Sequence, residues 1–186
     1  MYLIRFCPTK EVRRIMKKIQ KGFTLVELLI VIALLGALAI GLIGALDPFE
    51  QLKKGTDTGT RNTVSEIHSA IIRFYALKGY MPWCAQSPCA GTEYVTAAVL
   101  NDGAGMASAL SSIVVTGELK ANFTTLQSGE LGKVHVTGDD VNATVCFKPT
   151  SKSFRADKNT KFDISGVTAT TACGTADLDA CYWCVQ

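Results

Sequence analysis

An apolar run at residues 22–46 constrains this chain more than any other stretch of the sequence. From Phe23 onward it contains 24 residues, and Glu27 is the only charged one. At about 1.5 Å per residue a helix of this length spans about 36 Å, enough to cross a hydrocarbon core of about 30 Å. The run therefore predicts a membrane-spanning helix. A carboxylate in hydrocarbon costs at least about 2.5 kcal/mol, so Glu27 requires a partner.

The distribution of charge gives this span a direction. Residues 1–22 contain seven Lys or Arg side chains and one acidic residue, whereas residues 23–186 contain 12 basic and 15 acidic residues. Positively charged flanks stay on the cytoplasmic side of a membrane. We therefore expect residues 1–22 in the cytoplasm and the rest of the chain outside.

Two common kinds of N-terminal segment do not fit this run. A secretory signal has an apolar core of about 7–15 residues followed by a cleavage site of small residues, and this run is longer and carries Glu27. An uncleaved anchor accounts for the length but not for the carboxylate. The sequence KGFTLVELLIVIALLG, at residues 21–36, resembles the prepilin cleavage and methylation segment of type IV pilins and of type II secretion pseudopilins.

The resemblance implies a leader at residues 1–22 that a membrane peptidase removes after Gly22, followed by methylation of the new N-terminus at Phe23. Glu27 of one copy then neutralises the Phe23 amine of a neighbour, because pairing two charges is favourable in a low dielectric. The alternative is that Glu27 extends to the headgroups near its own helix end. The implied partners are the prepilin peptidase, further copies in a helical homopolymer, an inner-membrane assembly platform, and membrane lipid before assembly.

Small residues and a proline interrupt the span. Related filaments melt locally in this region, so the resemblance makes four residues candidates for helix loosening: Gly36, Gly41, Gly44 and Pro48. Close helix packing through small residues is the alternative role for the glycines.

Residues 49–78 have the pattern of an amphipathic helix. Apolar residues recur at helical spacing and form one stripe, Val64, Ile67, Ile71 and Phe74, with Ala70 and Leu77 beside it. Residues 53–60 are poor helix formers, so we expect fraying or a bend there. Gly79 and Pro82 then end the helix.

Residues 79–186 predict a compact head. Spacing favours a helix at 106–115 with Gly117 as its C-cap. Alternation and β-branched content favour strands at residues 133–137, 142–148, 153–157 and 181–185. The expected fold class is α+β: a long N-terminal helix, comprising a membrane part at 23–48 and an amphipathic part at 49–78, packed on a small antiparallel sheet.

Six cysteines follow the span, Cys84, Cys89, Cys146, Cys173, Cys181 and Cys184. An even number in a small exported domain predicts disulfides. We expect a local Cys84–Cys89 loop and a bond from Cys146 to one of the two C-terminal cysteines, with the remaining pairing open. A redox Cys181-x-x-Cys184 pair, or a zinc site of these two with Cys84 and Cys89, is the alternative.

The sequence contains no nucleophile elbow, phosphate loop or paired catalytic carboxylates, so we expect neither an enzyme nor a cofactor or metal. The two histidines have no ligand spacing, and calcium at Asp177 and Asp179 is a minor alternative. A basic cluster at Lys148, Lys152, Arg155, Lys158 and Lys161 is interpreted as a solvated strand edge. Because residues 23–186 are net acidic, nucleic acid is not an expected partner.

The functional hypothesis is a structural subunit of a type IV pilus or pilus-like filament. It starts in the cytoplasmic membrane with its head outside and ends in an extracellular or envelope-spanning filament. The alternatives are a pseudopilin of a type II secretion system and a membrane-tethered binding module with an uncleaved anchor.

Overall fold

The computed structural model describes residues 22–45, 47–90, 93–102, 106–169 and 181–186. The chain divides into two compact units, the first ending at Asp47 and the second spanning Pro48–Gln186. Helix α1 of the first unit spans Leu25–Ala45, and all of its side chains are exposed. Its 21 residues correspond to about 32 Å. Within the part of the chain that the structure describes, it is the one helix long and apolar enough to cross a membrane.

The second unit begins with α2, which spans Pro48–Lys78. Pro48 occupies the first helical position, where the missing amide hydrogen costs no helical hydrogen bond. The expected apolar stripe is confirmed, with Val64, Ile67, Ala70, Ile71 and Phe74 each at most 3% exposed. Leu77, in contrast, is exposed. Gly79 follows the helix at φ +77°, a conformation suited to a helix C-terminus.

The fraying expected at residues 53–60 is wrong, because α2 is helical throughout this segment. Asp57 and Thr60 are each 2% exposed, and both bond to the remainder of the unit. Thr56 and Thr58 donate side-chain hydrogen bonds to the carbonyls of residues four positions earlier. These contacts outweigh the weak helix propensity of the segment.

A five-stranded antiparallel sheet packs on α2. Its strands are β1 (Val95–Val99), β2 (Val134–Gly138), β3 (Ala143–Phe147), β4 (Thr160–Phe162) and β5 (Tyr182–Val185). Their order across the sheet is β1-β2-β3-β5-β4. The stripe of α2 and the inner face of this sheet form one hydrophobic core. The protein therefore has the expected α+β, pilin-like fold.

The described residues of the unit contain four more helices, all short: α3 (Met106–Val115), α4 (Phe123–Leu126), α5 (Ser128–Leu131) and α6 (Lys152–Arg155). The helix expected at 106–115 is confirmed, and Gly117 after it has φ +83°. The strands expected at 133–137, 142–148 and 181–185 are confirmed as β2, β3 and β5 with small shifts of their ends.

The strand expected at residues 153–157 is wrong, because this segment contains α6. Ser151 caps the helix by accepting a hydrogen bond from the amide of Phe154, and the cap favours a helical turn over an extended chain. Strands β1 and β4 were not predicted. Strand β4 has only three residues, and β1 contains a bulge at which Ala97 has φ +50°, so neither has a clean alternating pattern.

Candidate functional site

Thr24 and Glu27 start α1 with a reciprocal capping box. The Glu27 carboxylate oxygen Oε2 accepts hydrogen bonds from the Thr24 amide at 3.0 Å and from the Thr24 hydroxyl at 2.9 Å. The Glu27 amide in turn donates to Thr24 Oγ1 at 3.2 Å. This pattern satisfies amide groups that a helix N-terminus otherwise leaves without partners. Glu27 therefore also caps the N-terminus of its own helix. The sequence analysis did not predict this role, although the T-x-x-E spacing indicates it.

The expected cleavage point lies just before this cap. Gly22 and Phe23 precede the helix and are exposed, with Phe23 82% exposed. A Cβ atom added at Gly22 would meet no atom within 4 Å. The fold of the subunit therefore does not require glycine at this position.

The three glycines of the expected loosening region lie inside α1, which is continuous through them. An added Cβ at Gly36, Gly41 or Gly44 would meet nothing within 4 Å. Their small size therefore serves no packing purpose within the described subunit. Pro48 begins α2, and Asp47 directly before it is not helical, so loosening at Pro48 stays a prediction.

One groove of the second unit lies between the end of α2 and α3. It has a volume of about 400 Å³, and its polar lining includes Lys78, Tyr80, Ser111 and Thr116. The lining contains no carboxylate and no imidazole, so it offers no acid and base pair for proton transfer.

Asp57 forms a buried contact between α2 and the segment before α6, which we call the Asp57 clasp. Its carboxylate accepts hydrogen bonds from the amide and hydroxyl of Ser151, both at 2.7 Å. It also accepts from the amide of Thr150, at 3.1 and 3.0 Å to its two oxygens, and from the Thr150 hydroxyl at 2.8 Å. Burial alone would raise the pKa of Asp57, but the bonds from Ser151 and Thr150 lower it below its ordinary value.

Two further contacts connect the same half of α2 to the head. The Glu50 carboxylate accepts a hydrogen bond from the Lys152 amide at 2.9 Å, and this bond lowers the pKa of Glu50. The Thr60 hydroxyl donates to the carboxylate of Glu130. Sequence reasoning missed these residues, because nothing local indicates which polar side chains of an amphipathic helix will be buried.

The structure contains the two disulfides expected from the sequence. Cys84 bonds to Cys89 and closes a short loop, and Cys146 bonds to Cys184 across β3 and β5. Cys181 is also disulfide-bonded, whereas Cys173 lies outside the described residues. The alternatives of a Cys181–Cys184 redox pair and of a four-thiolate zinc site are wrong, because Cys84, Cys89 and Cys184 are bonded to other partners.

The two histidines lie apart and have different surroundings. Burial lowers the pKa of His68, with a backbone hydrogen bond to Ala143 opposing it. His135 packs edge-on against Tyr182 with ring centroids 5.6 Å apart. Asp177 and Asp179, the minor calcium alternative, lie outside the described residues.

Comparison with known proteins assigns the N-terminal region. Residues 17–43 match the family described as the prokaryotic N-terminal methylation motif, which is a structural motif and not an enzyme family. The match includes Gly22, Phe23 and the capping box. No curated protein and no solved structure matches the chain. The chain carries the prokaryotic N-terminal methylation motif on an exposed apolar helix followed by an α+β head, and it is consistent with the type IV pilin and pseudopilin family.

Proposed function

We propose that the chain is a structural subunit of a type IV pilus or pilus-like filament. Prepilin peptidase removes residues 1–22 and methylates Phe23, and the subunits then polymerise through α1. The observation that carries this proposal is the coincidence of the methylation motif with a helix of which no side chain is buried in the subunit. Such a surface requires lipid before assembly and other copies of the helix afterwards.

The environment of Gly22 supports cleavage at this point. An exposed, non-helical segment before the first helical turn is accessible to a peptidase. Because the subunit itself has room for a side chain at residue 22, we assign the need for glycine to the enzyme that cuts there.

The capping box is compatible with a charge pair between subunits. Both bonds from Thr24 go to Oε2, and among the described residues Oε1 of Glu27 has no hydrogen-bond partner. The α-amine of Phe23 from a neighbouring copy can therefore approach Oε1 while the helix cap stays intact. In a low dielectric this pair favours association of helices over their dispersion in lipid.

Replacing Gly22 tests the cleavage step. We expect Gly22→Ile to retain Met1, whereas wild type and the control Gly36→Ala begin with N-methylated Phe23. The measurement is the N-terminal mass of protein purified from cells. Unchanged processing of Gly22→Ile contradicts the cleavage assignment, and an intact Met1 in the wild type favours an uncleaved membrane anchor instead.

Glu27→Gln separates the two roles of this carboxylate. A glutamine side chain retains the capping box but not the negative charge. We expect normal processing and α-helix content, with filament yield lowered by about tenfold or more, because a loss of about 1.4 kcal/mol at each subunit contact lowers the association constant of that contact about tenfold. Glu66→Gln, on the exposed face of α2, is the matched control. Wild-type filament yield from Glu27→Gln would refute the pairing role.

The methylation motif is equally compatible with a pseudopilin of a type II secretion system. The two functions differ in the length and location of the polymer. Long surface fibres that are seen by electron microscopy in the wild type and are missing from a strain without this gene identify a pilus. A strain that lacks the gene, shows no change in surface fibres and fails to secrete proteins identifies a pseudopilus.

A further inference from the structure

We propose that a basic face of the head binds anionic phospholipid headgroups while the subunit resides in the membrane. This face lies on the first half of α2 and on the segment around α6. It consists of Lys53, Lys54, Arg61, Lys148, Lys152, Arg155, Lys158 and Lys161. The inference rests on the proposed function in one respect, that α1 crosses the bilayer.

The charge of the chain after Gly22 is strongly uneven. Residues 47–61 and 148–161 together contain eight of its 12 basic residues and four of its 15 acidic residues, a net charge of +4. The remainder of residues 23–186 therefore carries a net charge of −7. Basic and acidic residues that serve only to keep a surface solvated need not be separated in this way, so the separation suggests an electrostatic role.

Hydrogen bonds bring the two basic stretches together in the folded unit. Glu50 accepts from the Lys152 amide at 2.9 Å, and the Asp57 clasp holds residues 150 and 151 against the next turns of α2. Arg61 lies 5.0 Å from the ring centroid of Trp183, in the strand that pairs with β4. The side chains of Lys152, Lys158 and Lys161 are exposed.

Acidic groups lie near the other end of α2. The Asp139 carbonyl accepts a hydrogen bond from Trp83, and the Asp140 carboxylate accepts one from the Cys89 amide, both shortly after the helix ends. Lys78, the last helical residue, is 28 positions after Glu50, or about 42 Å along the helix. Asp139 and Asp140 therefore lie near the end of α2 that is opposite to the basic face.

Chain connectivity keeps the basic end close to the bilayer. Glu50 is five positions after Ala45, the end of α1. Fully extended chain covers at most about 3.6 Å per residue, so Glu50 lies within about 18 Å of the end of α1 whatever angle the two units adopt. The headgroup layer adds about 5–8 Å to each side of the hydrocarbon core, and long lysine side chains cover much of the remaining distance.

Tethering also explains why a modest charge is sufficient. A covalently anchored head is held at a high effective concentration next to the membrane. The attraction of each basic residue to anionic headgroups therefore does not have to offset the entropy of bringing the head to the membrane. Nucleic acid has no such tether, and the net charge of −7 elsewhere opposes its approach. The observations therefore favour a lipid surface over a polynucleotide.

Amine footprinting of the full-length chain in vesicles tests the proposal. Vesicles contain phosphatidylcholine alone or with added phosphatidylglycerol, and mass spectrometry measures labelling rates at Lys152, Lys158 and Lys161. We expect the anionic lipid to slow labelling about threefold or more at these residues and to leave the exposed Lys78 and Lys120 unchanged. The protection should disappear in about 1 M salt, where the Debye length is about 3 Å.

A charge-removing variant provides the matched control. In Lys152→Gln/Lys158→Gln we expect reduced protection at Lys161, whereas Lys78→Gln/Lys120→Gln retains full protection there. Equal labelling in neutral and anionic vesicles overturns the proposal, and so does protection by added duplex DNA but not by phosphatidylglycerol. A chain that fails to float with either kind of vesicle overturns the membrane assignment of α1 itself, so the two failures are distinguishable.

Discussion

Asp57→Asn is the most informative test of how α2 is attached to the head. The substitution preserves the shape of the side chain but removes its charge and replaces one acceptor oxygen with a donor. In the wild type this carboxylate accepts from four donors, the amides and hydroxyls of Thr150 and Ser151. Ser151 is fully buried, so its donors cannot turn to water when the acceptor is lost.

The magnitude follows from these four donors. A hydrogen bond to a charged group contributes about 1.5–3 kcal/mol, and a buried donor without a partner costs about 1–3 kcal/mol. Thr150 is exposed and regains water, so the loss is concentrated at Ser151. We expect Asp57→Asn to lower the free energy of unfolding by about 2–4 kcal/mol, which corresponds to a fall in Tm of about 10 °C.

Acid conditions should reduce the difference between wild type and Asp57→Asn. The pKa of Asp57 is lowered in the folded protein, so the carboxylate contributes stability at pH values above its ordinary pKa of about 3.9. That contribution is lost as the pH falls through the lowered folded-state pKa. The two Tm values should therefore remain separated from neutral pH to about pH 4 and converge in stronger acid.

The assay is thermal unfolding of the full chain in detergent, followed by fluorescence of Trp83 and Trp183. Detergent keeps α1 folded, so the signal reports on the head. Glu66→Gln, an exposed carboxylate on α2, is the control and should shift Tm by no more than about 2 °C. Equal Tm values for Asp57→Asn and Glu66→Gln at neutral pH would show that the Asp57 clasp contributes nothing to stability.

Two other substitutions test the packing of the head. A Cβ atom at Gly138 would overlap the ring of Trp83, so Gly138→Ala should lower the free energy of unfolding, measured by urea titration, by about 1–3 kcal/mol. Gly129→Ala is the control and should have little effect, because a Cβ atom there meets nothing within 4 Å. Equal losses of stability in the two variants would contradict this packing argument. Replacing Cys146 and Cys184 by alanine opens a disulfide with a sequence separation of 38 and should lower the free energy of unfolding by about 4 kcal/mol. The same change at Cys84 and Cys89, with a separation of 5, should lower it by about 2 kcal/mol. Equal losses would contradict loop closure as the source of the stabilisation.

The apolar parts of the fold could be predicted from the sequence. The span, the stripe of α2 and the helix at 106–115 each repeat a helical pattern over several turns, and β2 and β3 alternate clearly. Such patterns report directly which face of an element is buried. The N-terminal motif was also visible, because Gly22, Phe23 and Glu27 lie close together in one stretch.

The polar parts of the fold could not be predicted. Residues 53–60 contain two glycines and three threonines, a composition that disfavours a helix in isolation. Their helical conformation depends on Asp57 meeting Ser151, which is 94 positions away. Ser151 likewise turns an expected strand into α6 by accepting one hydrogen bond from Phe154. A single long-range or capping hydrogen bond does not produce a repeating pattern of residues, so it cannot be recognised from hydrophobic periodicity.

The Asp57 clasp fixes the axial register of α2 against the sheet. An apolar stripe alone tolerates a slip by one turn, about 5.4 Å, because another set of similar side chains moves into contact. Hydrogen bonds are directional and short, so the same slip breaks every bond that Asp57 accepts, together with the bond that the Lys152 amide donates to Glu50. Tension along α2 would therefore act on these hydrogen bonds and on the buried apolar stripe before the helix could slide on the sheet.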